Sequence, residues 1–144
     1  MSKYQLKFHL KTASSDDLIV GELKLFKDSV EVNAYKATSS FPGRQYDKSW
    51  ERKGGLIPPG EYKVAAESIW MPDVKGVEGS FYAISPFEVQ TNGATRGDFG
   101  VHFDANQPGS LGCVVMETQK GWDAFRRDMK KVGSESIPMT VTYS

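Results

Sequence analysis

The stretch RGDFGVHFDANQPGSLGCVVM, residues 96–116, decides the fold. GVHF and GCVVM are apolar runs of strand length. ANQPGSL, between them, collects the residues that favour turns and loops. Two short strands joined by a loop are therefore expected here. The same stretch holds the only cysteine of the chain, Cys113, and one of its two histidines, His102.

Upstream, TNGATRGDFG is a turn-rich connection, and FYAISPFEVQ reads as a strand with Pro86 at an edge or bulge. EYKVAAESIW reads as another strand, entered from the turn Pro58-Pro59-Gly60, where proline presets φ and glycine accepts a positive one. SSFPGRQYDKSWERKGG has no clear period and carries Tyr46 and Trp50; it reads as a long loop, and such loops are often functional. LIVGELKLF and SVEVNAYKAT are two strands with a hairpin expected at Lys27-Asp28. In YQLKFHLK, Tyr4, Leu6, Phe8 and Leu10 share one face of a half-buried strand, and His9 falls on the polar face with Lys7 and Lys11. His9 is accordingly read as a solvated strand residue.

Downstream, TQKGWDAFRRDMKKVG is the one convincing helix. Trp122, Phe125, Met129 and Val132 fall on one face, Thr118 is a suitable N-cap, and Gly133 a suitable residue just past the end. Arg126, Arg127, Lys130 and Lys131 lie where the helix dipole favours cations, so this charge run reads as a solvated face. SIPMTVTYS closes the chain as a strand. The sum is a mainly β protein, a β-sandwich or open barrel with one amphipathic helix near the C-terminus, in a single domain over 1–144.

Composition excludes several classes. Of 144 residues, 39% are hydrophobic and 25% charged, which suits a globular domain with a real core. A formal net charge of zero argues against a nucleic-acid partner and gives no reason for anchoring to anionic membranes. No apolar run approaches the ~20 residues that span a bilayer. MSKYQLKFHLKTASS alternates and lacks the continuous apolar core of a secretory signal, so synthesis in the cytoplasm without a signal peptide is expected. A lone cysteine forms no internal disulfide. No zinc-binding spacing is present, and neither a cofactor nor a metal is assigned.

Cys113 admits two readings. Among Leu111, Val114 and Val115 it can be a small buried hydrophobe. It can also be a nucleophile, because only the thiolate attacks well and an imidazole brought across from the neighbouring strand can take the proton. Gly112 would let the backbone approach a substrate carbonyl, with the Gly112 and Cys113 amides aimed at the developing oxyanion. Strand parity leaves both readings open.

RGDFGVHFDANQPGSLGCVVM resembles the active-site segment of L,D-transpeptidase-type domains, in which a strand with His precedes a loop and a Ser/Thr-x-Gly-Cys element. The matching residues are His102, Ser110, Gly112 and Cys113. GGLIPPGEYKV resembles the Pro-x-Gly-Phe/Tyr turn of the same family, and the likeness covers roughly residues 30 to 117. In feel it is nearest the compact variants among type VI secretion effectors and phage-encoded proteins. The resemblance implies a Cys113 nucleophile, a His102 base, an oxyanion hole from the Gly112 and Cys113 amides, and Ser110 shaping the loop or binding substrate. It implies peptidoglycan stem peptides as substrate, with exchange, cross-linking or trimming through a thioester. Leu111 stands where the family often has His, and Val115 and Met116 where Arg or Asn is common; Arg96 or Arg44 would then hold a substrate carboxylate, the alternative for each being a surface or structural arginine. Without a signal peptide, a phage particle or a secretion system would have to deliver the protein to the periplasm or wall, and an immunity protein is a partner in the secreted-toxin case. Residue order argues against the cysteine peptidases of peptidoglycan that place Cys before His. The rival reading is a non-catalytic structural or wall-binding component of a phage tail or secretion spike, with Tyr46, Trp50 and Trp70 stacking on sugars.

Overall fold

The computed structural model describes residues 3–40, 42–52, 54–73, 79–86, 88–103, 112–133 and 136–144. The alternating N-terminal segment forms β1 (Tyr4–Leu10), with Leu6, Phe8 and Leu10 buried. It pairs antiparallel with β2 (Gly21–Lys27), which pairs antiparallel with β3 (Val30–Ser39). The β2–β3 hairpin turns on Asp28 and Ser29, with φ of 52° and 67°. Two left-handed residues suit the twist of flanking strands, and this places the turn one position later than the sequence suggests.

Two expected strands divide. EYKVAAESIW becomes β4 (Gly60–Val64) and β5 (Ile69–Met71); FYAISPFEVQ becomes β6 (Gly79–Ser85) and β7 (Glu88–Gln90). β7 forms a small separate hairpin with β8 (Thr95–Gly97). β9 (Gly100–Phe103) and β10 (Val114–Met116) are the two short runs around the His–Cys stretch, and they pair parallel. The chain ends in α1 (Gln119–Val132) and β11 (Ile137–Tyr143), which lies parallel to β1.

The main sheet runs β4-β11-β1-β2-β3-β10-β9-β6-β5, and β4 also pairs with β6. That second pairing, Lys63 with Ser85 and Val64 with Ile84, closes the sheet into a barrel and leaves β5 outside the ring. The expectation of a sandwich or open barrel is thus corrected to a closed one. The physical reason is the break after Val64: the chain turns out of β4, and the amide of Ala65 donates to the carbonyl of Ala83 (2.9 Å), stitching the seam. Closure pairs the edges of β4 and β6 that an open sheet would expose.

The apolar face of α1 joins the barrel core. Trp122, Phe125 and Met129 are buried there, and Phe125 meets Tyr35 and Tyr82 edge-on at centroid distances of 5.3 and 5.2 Å. Each such side chain contributes about 1.5–3 kcal/mol by leaving water. Thr118 caps the helix, its Oγ1 accepting from the Gly121 amide at 3.0 Å. One polar group shares the buried face: Asp128 accepts from Tyr35 Oη (2.6 Å) and Asn33 Nδ2 (3.0 Å), tying the helix to β3.

The long loop after β3 is anchored from within. Gln45 is buried; its Oε1 accepts from the Ile19 amide at 2.8 Å, and its Nε2 donates to Thr38 Oγ1, Ser39 O and Ile19 O at 2.7, 3.0 and 3.1 Å. Ser39 Oγ accepts from the Ile57 amide at 3.1 Å, and Ser40 Oγ donates to Gly54 O. A 3-10 turn, Ser49–Glu51, presents Trp50, whose indole stacks on Tyr143 at 5.2 Å.

Candidate active site

Register places His102. Val101 and Val114 pair and face the core, so His102 and its partner Val115 point to the other face of the sheet. Cys113 immediately precedes β10, two positions before Val115, and therefore shares that face. The same register sets it beside Gly100. For strands ~4.8 Å apart, the His102 and Cys113 Cα atoms lie about 8 Å apart on a diagonal, within combined reach of an imidazole and a thiol. The structure thus brings the two sequence-selected residues to one face of adjacent strands.

His102 is held on two sides. It is 5% exposed, and its Nδ1 lies 2.9 Å from the carbonyl oxygen of Phe103. A carbonyl only accepts, so Nδ1 carries the proton in this contact. In the neutral ring the lone pair is then on Nε2, the basic nitrogen. The ring also stacks on Phe81, at 6.0 Å and 23°. β6 and β9 pair Tyr82 with Val101, which sets Phe81 opposite His102. A Cβ on Gly100 would fall 2.0 Å from Cζ of Phe81, so the ring covers Gly100 as well. Phe81 therefore bridges the imidazole and the strand position beside Cys113.

Cys113 is half-buried, and its Sγ donates to the carbonyl of Asp98 at 3.7 Å. Burial pushes the thiol from an ordinary 9.0 up to about 11; the Asp98 carboxylate adds to the rise, and the Gly100 amide, directed at the sulfur, opposes it. A thiol raised in this way favours its neutral form at neutral pH.

Gly112 is buried with φ of +104°, a conformation that favours glycine. A Cβ there would lie 2.5 Å from Nη2 of Arg96 and 2.8 Å from Cε1 of Phe99. Arg96, assigned from sequence to a substrate carboxylate, is 4% exposed. Its Nη1 donates to Trp50 O (2.6 Å) and Leu56 O (3.0 Å), and its Nη2 to Gly55 O (2.9 Å). These donors serve the protein's own backbone. Arg44 is exposed on the long loop. Ser110, Leu111 and the loop from 104 lie outside the described residues. His9 bonds Thr142 Oγ1 (2.7 Å) and Ser144 Oγ (2.9 Å), which accounts for its place on the polar face of β1.

Phe81, Gly100, Asp98 and the Phe103 carbonyl were not singled out from sequence. Gly100, directly before an apolar His strand, was the one available signal, since a glycine inside a strand marks a close approach of another group.

No protein-family model matches the chain, and no curated protein matches it. Its three-dimensional structure is similar to that of the L,D-transpeptidase from Mycobacterium smegmatis, with a TM-score of 0.52 and 13% identity over 98% of this chain and 59% of that one. The LD transpeptidase LdtMt1 in complex with imipenem superposes with a TM-score of 0.47 and 10% identity, over 98% of this chain and 59% of that one. At such identity the likeness is one of fold. The chain spans 59% of the length of these neighbours. The fold is L,D-transpeptidase-like.

Proposed function

We propose that this chain is a cysteine acyltransferase or peptidase acting on peptidoglycan stem peptides, with L,D-transpeptidase or L,D-carboxypeptidase activity. The observation that carries this reading is the register that turns His102 of β9 and Cys113, just before β10, toward one face, with His102 Nδ1 directed at the Phe103 carbonyl. The L,D-transpeptidase-like fold supports it.

In the proposed reaction, Sγ of Cys113 attacks the carbonyl of the L,D-linked residue as its proton passes to Nε2 of His102. The oxyanion rests on the Gly112 and Cys113 amides. The intermediate collapses; the C–N bond breaks, and the terminal D-residue leaves with the proton from His102. An amine acceptor or water then attacks the thioester, His102 takes its proton, and the sulfur departs to regain a proton as thiol. An amine gives exchange or a cross-link; water gives carboxypeptidase action. Ser110 keeps, in this reading, the loop-shaping or substrate-binding role that the family resemblance implies. Delivery to the periplasm or cell wall by a phage particle or secretion system, as for the compact variants, belongs to the same proposal.

The raised Cys113 thiol favours a second reading, a structural or wall-binding component that keeps the fold without the chemistry. Mass spectrometry of tetrapeptide muropeptides with a free D-amino acid separates the two. Loss or exchange of the terminal D-Ala by the wild type, and not by Cys113→Ala, is the expected result. No change with either protein over several stem types would hand the case to the second reading.

A further inference from the structure

We propose that Arg96 is a positioning residue for acyl transfer: by gripping the 50–56 loop and bearing on Gly112, it holds the Gly112 and Cys113 amides where an oxyanion forms. This rests on the reading of Cys113 as a nucleophile.

Three observations carry it. The guanidinium donates to the carbonyls of Trp50, Gly55 and Leu56, so the loop and the cation form one body. That body meets Gly112 directly, with Nη2 only 2.5 Å from the place a Gly112 Cβ would take. Phe99 closes the same space and packs against the guanidinium at 5.5 Å. Gly112 therefore has no room to move toward these groups. Lastly, the ion pairs among the described residues are Lys24–Glu31 and Arg127–Asp128, so no described carboxylate neutralises Arg96. A buried cation solvated by carbonyl dipoles keeps a positive field on the adjoining backbone, where negative charge would develop. Lysine cannot reproduce a planar fork that reaches three carbonyls.

The effect falls on the amides. Burial, the Gly100 amide and the Asp98 carboxylate act on the thiol, whereas Arg96 bears on Gly112. Two reactions of the same sulfur therefore separate the roles. Iodoacetamide alkylates Sγ by displacing iodide from a tetrahedral carbon, with no oxyanion. p-Nitrophenyl acetate acylates Sγ through a tetrahedral oxyanion, forming a thioester as p-nitrophenolate leaves.

Arg96→Met should slow acylation about 10- to 100-fold, while alkylation changes less than about threefold. Arg96→Lys should fall between Arg96→Met and wild type. Acylation and alkylation falling in the same proportion, or acylation unchanged, would overturn the proposal. Should Arg96→Met fail to fold by circular dichroism, the acylation-to-alkylation ratio of Arg96→Lys decides by the same criterion. The ester assay needs no peptidoglycan. A wild type acylated by the ester yet inert on muropeptides sinks the substrate reading and leaves Arg96 in its role. A wild type acylated no faster than a free thiol sinks the nucleophile, and this inference with it.

Discussion

The Phe81 ring and the His102 imidazole stack across the β6–β9 pair, with centroids 6.0 Å apart and planes 23° apart. The same ring fills the space where Gly100 lacks a side chain. One aromatic residue thus sets the imidazole plane and walls the strand beside Cys113.

Truncating that wall has a separable signature. Phe81→Ala should cost about 1–3 kcal/mol of stability, less than a fully buried phenylalanine because Phe81 is only half-buried. Phe81→Leu should recover most of the stability and little of the orientation. Urea denaturation measures the first effect; turnover of muropeptides measures the second. Equal turnover in Phe81→Leu and wild type would show that the stack does not matter to His102.

The resting state of Cys113 is open to direct titration. With the thiol pushed up to about 11, the alkylation rate should keep rising well past pH 9. At neutral pH the native thiolate fraction should be about 100-fold below that of the unfolded chain. The measurement is iodoacetamide kinetics from pH 7 to 11.5, native and in denaturant. A native midpoint below 9 would point instead to a thiolate–imidazolium pair formed before substrate arrives.

Alkaline pH should unfold the protein. Burial pushes Tyr62 up to about 12, and raises Tyr35, Tyr82 and Tyr143 as well. Cys113 shifts in the same direction. Above pH ~9–10 the unfolded chain gives up protons that the native state retains, so stability falls as pH rises toward the folded values. It is fully present below the unfolded values. Thermal melts from pH 7 to 11 should show a steady Tm (melting midpoint) up to about pH 9 and a decline above it. Tyr35→Phe should flatten part of that decline and lower Tm at pH 7, since Asp128 loses its 2.6 Å donor. An unchanged alkaline slope in Tyr35→Phe would remove Tyr35 from this account.

Gln45 should behave as a core residue despite its polar side chain. Gln45→Ala removes the acceptor of the Ile19 amide and a donor to the Ser39 carbonyl in a buried place, while Ile19 O keeps Thr38 Oγ1, so a loss of about 1–3 kcal/mol is expected from chemical denaturation. Gln45→Glu should be worse than Gln45→Asn, because a carboxylate cannot donate to Thr38 and Ser39. A loss under about 0.5 kcal/mol, the size of a surface change, would show that the loop is not anchored there.

Local pattern determined much of this protein. Alternation announced β1, helical spacing announced α1 with its Thr118 cap, and residue type singled out His102, Gly112 and Cys113 as a candidate group. These are properties of neighbours along the chain, and periodicity reports them. Tertiary structure alone decided the rest. Barrel closure depends on β4 meeting β6, an encounter no local period encodes. Which face Cys113 takes depends on the parallel register of β10 on β9, and a one-residue slip would have turned it into the core. Arg96 reads in sequence as a candidate for a substrate carboxylate or a surface or structural cation, and only the folded chain brings three distant carbonyls around it. Hydrogen-bond partners far apart in sequence leave no periodic trace, so the sequence could nominate the chemistry while the fold alone arranged its support.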